Sequence, residues 1–166
     1  SGSLNTAFGW GAGDAVTTGS SNTIVGAMAG ATQNTAINNT LVGYSAGRNT
    51  TTGGQNSFYG TGAGQLNTTG ANNTATGYYS LYTNTIGASN TAVGINALRL
   101  NTTASENTAV GTSAGYSVTT GSSNTFLGRA AGLLLTTGAS NVIIGIDAAE
   151  EMTTASGCTL VGGRAG

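Results

Sequence analysis

Asn5, Asn22, Asn39, Asn56, Asn73, Asn90, Asn107, Asn124 and Asn141 stand at a constant spacing of 17 residues, with no insertion or deletion between them. Thr follows each except where Ser57 and Val142 stand, and a tenth, partial unit opens at Cys158. The unit reads N-T-A-V-G-x-x-A-G-x-x-x-T-T-G-x-x. Its fifth position is Gly in all ten units, from Gly9 to Gly162, and its eighth is Ala in nine of ten, Ser80 being the exception. A rigid period of this kind means that every unit does the same structural job, and a stack of identical coils is the simplest object that does so.

The unit favours strands over helices. Glycine recurs at positions 5, 9 and 15, so a helix of useful length would run through at least one, at about 1 kcal/mol each. Thr and Val favour extended backbone. N-T-A-V is expected to be a short strand closed by Gly, and T-T-G a second strand or a turn with Gly at a positive-φ corner. The expected fold is therefore all-β: a parallel β-solenoid (β-roll or β-helix) with one 17-residue repeat per coil and about ten coils. At about 4.8 Å per coil the rod is about 45 Å long. Stacking turns each position into a ladder, and a column of Asn amides can bond along the axis. Small residues at positions 5, 8 and 9 imply a narrow interior.

Residues 1–4 are expected to be a lead-in, with Ser1-Gly2-Ser3 reading as a cloning scar. Residues 5–166 form one solenoid domain that stops partway through its tenth repeat, as an excerpt of a longer protein would.

Positions 3 and 4 carry the strongest expectation about assembly. Position 3 is apolar in every unit, and position 4 in all but one, Thr76. Neighbours on a strand point to opposite faces, so both faces of this strand are apolar. One face lines the coil. The other calls for a second chain to cover it, since strands apolar on both faces are buried on both. The alternative is a bend that turns both side chains inward. The charges Asp14, Arg48, Arg99 and Glu150 fall at position 10, Arg129 at 6, Asp147 and Arg164 at 7 and Glu151 at 11. The arc from 6 to 12 is thus expected to be solvated, apart from the small residues at 8 and 9.

Several function classes lose support. Charged residues make up 5% of the chain, against about 25% in ordinary soluble domains. Four Arg and no Lys, with a net charge of −1, do not make a nucleic-acid surface. With no His and the single Cys158, no Ser-His or Cys-His catalytic pair can be built. Glu150 and Glu151 read as a solvated face, and the glycine run from Gly9 to Gly13 lacks the Lys and helix of a phosphate loop. Asp14 and Asp147 lie in distant coils, so no metal is expected, and no cofactor. No apolar run is long enough for membrane insertion as a helix.

The segment Asn107-Thr108-Ala109-Val110-Gly111-Thr112-Ser113-Ala114 resembles the head repeat of YadA-like trimeric autotransporter adhesins, whose repeat is shorter. The longer form with T-T-G, Asn107 to Ser123, resembles repeats of phage tail fibres and bacterial surface proteins that carry an endosialidase-type chaperone domain. The resemblance spans Asn5 to Gly166. It implies a left-handed β-roll, a homotrimer, a place outside the cell on a cell surface or virion, and a non-enzymatic role as an adhesive or spacing shaft.

Two sets of residues are candidate contacts. Trp10, Tyr44 and Tyr78 at position 6, Tyr79 at 7, and Tyr82 and Tyr116 at 10 offer aromatic faces to a cell-surface glycan or protein receptor, or to packing between chains. The second set, Thr18, Thr52, Thr69, Thr103, Thr120, Thr137 and Thr154 at position 14, would be the ladder of an ice-binding solenoid. A third reading is a self-assembling filament, in which open coil edges pair end to end.

Overall fold

The computed structural model describes residues 2–166; Ser1 lies outside the described residues. Ten three-residue strands follow one another: β1 (Thr6–Phe8), β2 (Thr23–Val25), β3 (Thr40–Val42), β4 (Ser57–Tyr59), β5 (Thr74–Thr76), β6 (Thr91–Val93), β7 (Thr108–Val110), β8 (Thr125–Leu127), β9 (Val142–Ile144) and β10 (Thr159–Val161). They form one parallel sheet in chain order. Register is kept at one repeat throughout, as in Thr91↔Thr108, Ala92↔Ala109 and Val93↔Val110. The chain is a β-solenoid of stacked coils. Coils are numbered here from the one that opens at Asn5.

Each coil holds one strand and no second. The reason is local backbone geometry. Positions 7, 9 and 17 adopt positive φ even where the residue is not Gly, as at Ser45, Leu98 and Ser123. These kinks break any second run of extended chain. The T-T-G segment is a turn: the amides of Thr17, Thr18 and Gly19 all converge on the Asn34 carbonyl of the next coil, at 3.1–3.3 Å.

Position 5 sits at φ +130 to +138° in all ten coils, a region open only to glycine. A methyl group there would also press on the next coil, for Gly111 at 2.5 Å from the Gly128 carbonyl oxygen. Position 15 was expected to be a positive-φ corner and is not one. Glycine is favoured there because a Cβ would approach the carbonyl oxygen one coil on.

The Asn ladder works mainly through the backbone. Each Asn Oδ1 accepts the backbone N–H of the next coil's first residue at 2.9–3.0 Å, from Asn22 on Asn5 to Cys158 on Asn141. Each Nδ2 donates to the position-15 carbonyl of its own coil, as Asn107 does to Gly121 at 2.9 Å. An ionised Asp could accept on one side but could not donate on the other, which is why Asp never replaces Asn here.

In coils 2 to 9 the interior is filled by complementary sizes at positions 3 and 9, except in coil 7, where Ala109 and Gly115 are both small and Leu98 and Phe126 of the adjacent coils reach Gly115. Phe58 lies over Gly64, and Phe126 over Gly115 and Gly132. Where position 3 shrinks to Ala75 and Ala92, position 9 grows to Leu81 and Leu98, and all four are fully buried. Position 12 is buried as well, contrary to its expected place on a solvated arc: Gln33, Thr50, Asn67, Asn84, Asn101, Val118 and Leu135 are all at 0% exposure. Among the polar ones, Asn84 Nδ2 donates to Asn67 Oδ1 and Asn101 Nδ2 to Asn84 Oδ1 between coils, each at 2.7 Å, and Gln33 Nε2 donates to Asn22 Oδ1 of its own coil at 3.0 Å, while the Thr50 hydroxyl has no hydrogen-bond partner. Asp147, also expected in solvent, is buried and pairs with Arg129 at 2.6 Å.

The bend alternative does not hold at positions 3 and 4. Position 3 points inward from Ile24 to Ile143. Position 4 points outward: Phe8, Tyr59, Val110, Leu127 and Val161 are exposed, and Val25, Val42, Val93 and Ile144 half-buried.

Candidate functional site

The aromatic candidates occupy the turn that follows the strand and the first outward position beyond it. Gly77 ends β5, and Tyr78 and Tyr79 follow at once. Tyr79 takes φ +52°, and its ring lies over Gly62 of the preceding coil, where a Cβ would strike ring carbons. Gly62 thus makes room for the ring at a position that carries a side chain in every other coil but the first, where Gly11 stands.

Tyr78 and Tyr79 have ring centroids 4.1 Å apart, and Tyr79 and Tyr82 4.7 Å apart. The Arg99 guanidinium completes the group. Its Cζ is 5.1 Å from the Tyr79 centroid, 5.9 Å from Tyr82 and 5.8 Å from Tyr116. Tyr82, Arg99 and Tyr116 are successive rungs of position 10, so the cation sits between two rings along the axis, within cation–π range of both. The Tyr78 phenol is pushed above its usual pKa, first by a side-chain hydrogen bond with Tyr79 and less by partial desolvation, with Arg99 opposing.

Four of the six aromatic candidates are therefore one cluster, in coils 5 to 7. Trp10 and Tyr44 are not part of it; they stand apart at 79% and 58% exposure. Sequence reasoning noted Arg99 only as a charge. Its signal was available: Arg99 is 17 residues from both Tyr82 and Tyr116.

Arg99 has no carboxylate partner. Its polar contact is a long hydrogen bond from Nη1 to Asn96 Oδ1, at 3.5 Å. The ion pair among the described residues is Arg129–Asp147. In coils 3 to 7 the only acidic residue is Glu106, at position 17, where it accepts from Ser123 Oγ at 3.0 Å. The surface is open: no pocket indents the described residues, and none of them form a group of three or more His, Cys, Asp and Glu able to hold a metal ion. No helix is long and apolar enough to cross a membrane.

The threonine candidates are all exposed at position 14, from Thr18 to Thr154. They make a file one side chain wide. Their position-13 neighbours turn aside, and the hydroxyls of Thr51, Thr68, Thr85, Thr102, Thr119 and Thr136 donate to the carbonyl one coil on, at 2.9–3.3 Å. Comparison of the chain with protein-family models, with curated proteins and with solved structures finds no match.

Proposed function

We propose that this solenoid is a segment of a homotrimeric fibre, on a virion or a bacterial surface, that spaces or presents an attachment surface without doing chemistry. The observation that carries this reading is the outward stripe at position 4. It runs the length of the sheet, is apolar in all coils but that of Thr76, and carries no charge. Between the end coils, Leu127 is 47% exposed in the isolated chain, Tyr59 42% and Val110 36%. A continuous apolar strip of this length is what an interface leaves behind when its partner is absent. The resemblance to adhesin and tail-fibre repeats supports the same reading.

The test is absolute mass by light scattering on a size-exclusion column. A species near three times 16.1 kDa is expected. A monodisperse monomer would remove the reading. Ice binding would rest on the position-14 threonine file, which is narrower and leaves the position-4 stripe uncovered; thermal hysteresis in dilute solution is its measurement.

A further inference from the structure

We propose that the position-10 column of coils 3 to 7 is a binding strip for a linear acidic oligosaccharide, a chain of sugars bearing carboxylates that lies along the rod axis. The column reads Arg48, Gln65, Tyr82, Arg99, Tyr116. All five are half-buried, and the Arg99 guanidinium lies over one face each of Tyr82 and Tyr116. The rungs are about 4.8 Å apart, which puts Tyr82 and Tyr116 about 10 Å apart and the two guanidiniums about 14 Å apart.

Each group has a matching feature in such a ligand. With Arg99 over one face of each, Tyr82 and Tyr116 meet a sugar ring through their edges and phenol hydroxyls, which fit its C–H groups and equatorial hydroxyls. Arg99 stacks on tyrosines through its face, which leaves the N–H donors at its edge for a carboxylate. One of those donors is engaged, and only by the long contact to Asn96. Two uncompensated cations lie in the middle of the column, and Asp14 and Glu150 occupy the same position in coils 1 and 9. The acidic ends repel an anionic ligand and confine it to the central coils.

Other classes of partner fit less well. Nucleic acid brings one charge per phosphate, and two guanidiniums on a chain of net charge −1 are too few to neutralise it. A protein partner would need about 800 Å² on each side, far wider than one column. With no pocket among the described residues, the strip suits an extended polymer better than a compact molecule. The inference goes beyond the fibre reading and does not require it, since binding and mass are measured separately.

The test is calorimetric titration of the 166-residue chain with two acidic probes: a galacturonate hexamer, and a hexamer alternating glucuronate with N-acetylglucosamine. Their neutral methyl esters are the controls. An acidic probe is expected to bind about tenfold tighter than its ester, the factor that one charge-assisted hydrogen bond supplies. Arg99→Gln is expected to abolish that preference, and Tyr82→Leu to weaken acid and ester alike, with circular dichroism and mass unchanged. Arg48→Gln, at the end of the strip, is the second variant should Arg99→Gln not fold, and is expected to narrow the preference. Equal affinity for acid and ester, no binding by either acidic hexamer, unchanged binding in both arginine variants, or tighter binding of a single-stranded DNA oligomer would each overturn the proposal.

Discussion

A methyl group on Gly111 would force φ +137° onto a residue with a side chain and would press on the Gly128 carbonyl. Gly121, at position 15, meets the second obstacle without the first. The two columns behave accordingly: position 5 is Gly in all ten coils, while Ala36, Ala104 and Ala155 stand at position 15. Steric pressure on a neighbouring coil can be relieved by a small backbone shift, whereas a forbidden φ cannot. Gly111→Ala is therefore expected to cost about 3 kcal/mol or more, and Gly121→Ala less than half of that. Urea unfolding with a common slope checks the order. Equal losses would mean that the coil-to-coil approach alone keeps glycine at position 5. Both columns were legible in the sequence as glycine; the cause at position 15 was not, because a required φ and a required close approach leave the same letter.

At the scale of the coil, a short strand follows from N-T-A-V-G and the one-repeat register from the period, but with positions 3 and 4 both apolar the letters do not say which faces inward, and burial assigns position 3. The exceptions at position 9 say how the interior is filled. Leu81 and Leu98 face Ala75 and Ala92 in the same coils, while Leu41 faces Gly47. Converting coil 6 to the coil 3 arrangement tests this. Leu98→Gly alone opens a cavity and is expected to cost about 3 kcal/mol or more. Ala92→Leu alone overfills the coil, at about 1–3 kcal/mol. The double variant is expected to return to within about 1 kcal/mol of the parent, since Gly also relieves the φ of +49° at Leu98. Simple addition of the two losses would show that the positions do not share space. Position 12 was illegible for the opposite reason. Its letters pass from Gln33 through Asn101 to Val118 and Leu135, so polarity gives no steady signal. The property held constant there from Gln33 to Leu135 is full burial, whether the side chain bonds one coil away, as Asn84 does to Asn67, or within its own coil, as Gln33 does to Asn22, and only the stacked structure shows it. The stack of Tyr82, Arg99 and Tyr116 was legible as three successive letters of the position-10 column; the approach of Tyr79 from position 7 depends on a ring leaning between columns, which the letters do not record.

For the whole molecule, the decisive question is what covers position 4. Val93 and Val110 are register partners at the middle of the sheet, one half-buried and the other exposed in the isolated chain. Asp at both positions would point into water on a lone solenoid, so each coil keeps its inward packing and loses about 1 kcal/mol or less in strand preference. In an assembled fibre the same two carboxylates would be buried side by side without cations, since no Arg stands in position 2, 4 or 6 of coils 6 and 7. Burial of that kind costs far more than a local strand preference, and it recurs once per chain in the assembly. The Val93→Asp, Val110→Asp chain is therefore expected to run at 16.1 kDa with an unchanged β-sheet circular dichroism spectrum, against a trimer for the parent. A variant that stays trimeric would place the interface on another face. A parent that is itself monomeric would leave the stripe uncovered in solution and remove the fibre reading, while the saccharide strip at position 10, on a different column of the same coils, would still stand or fall on its own titration.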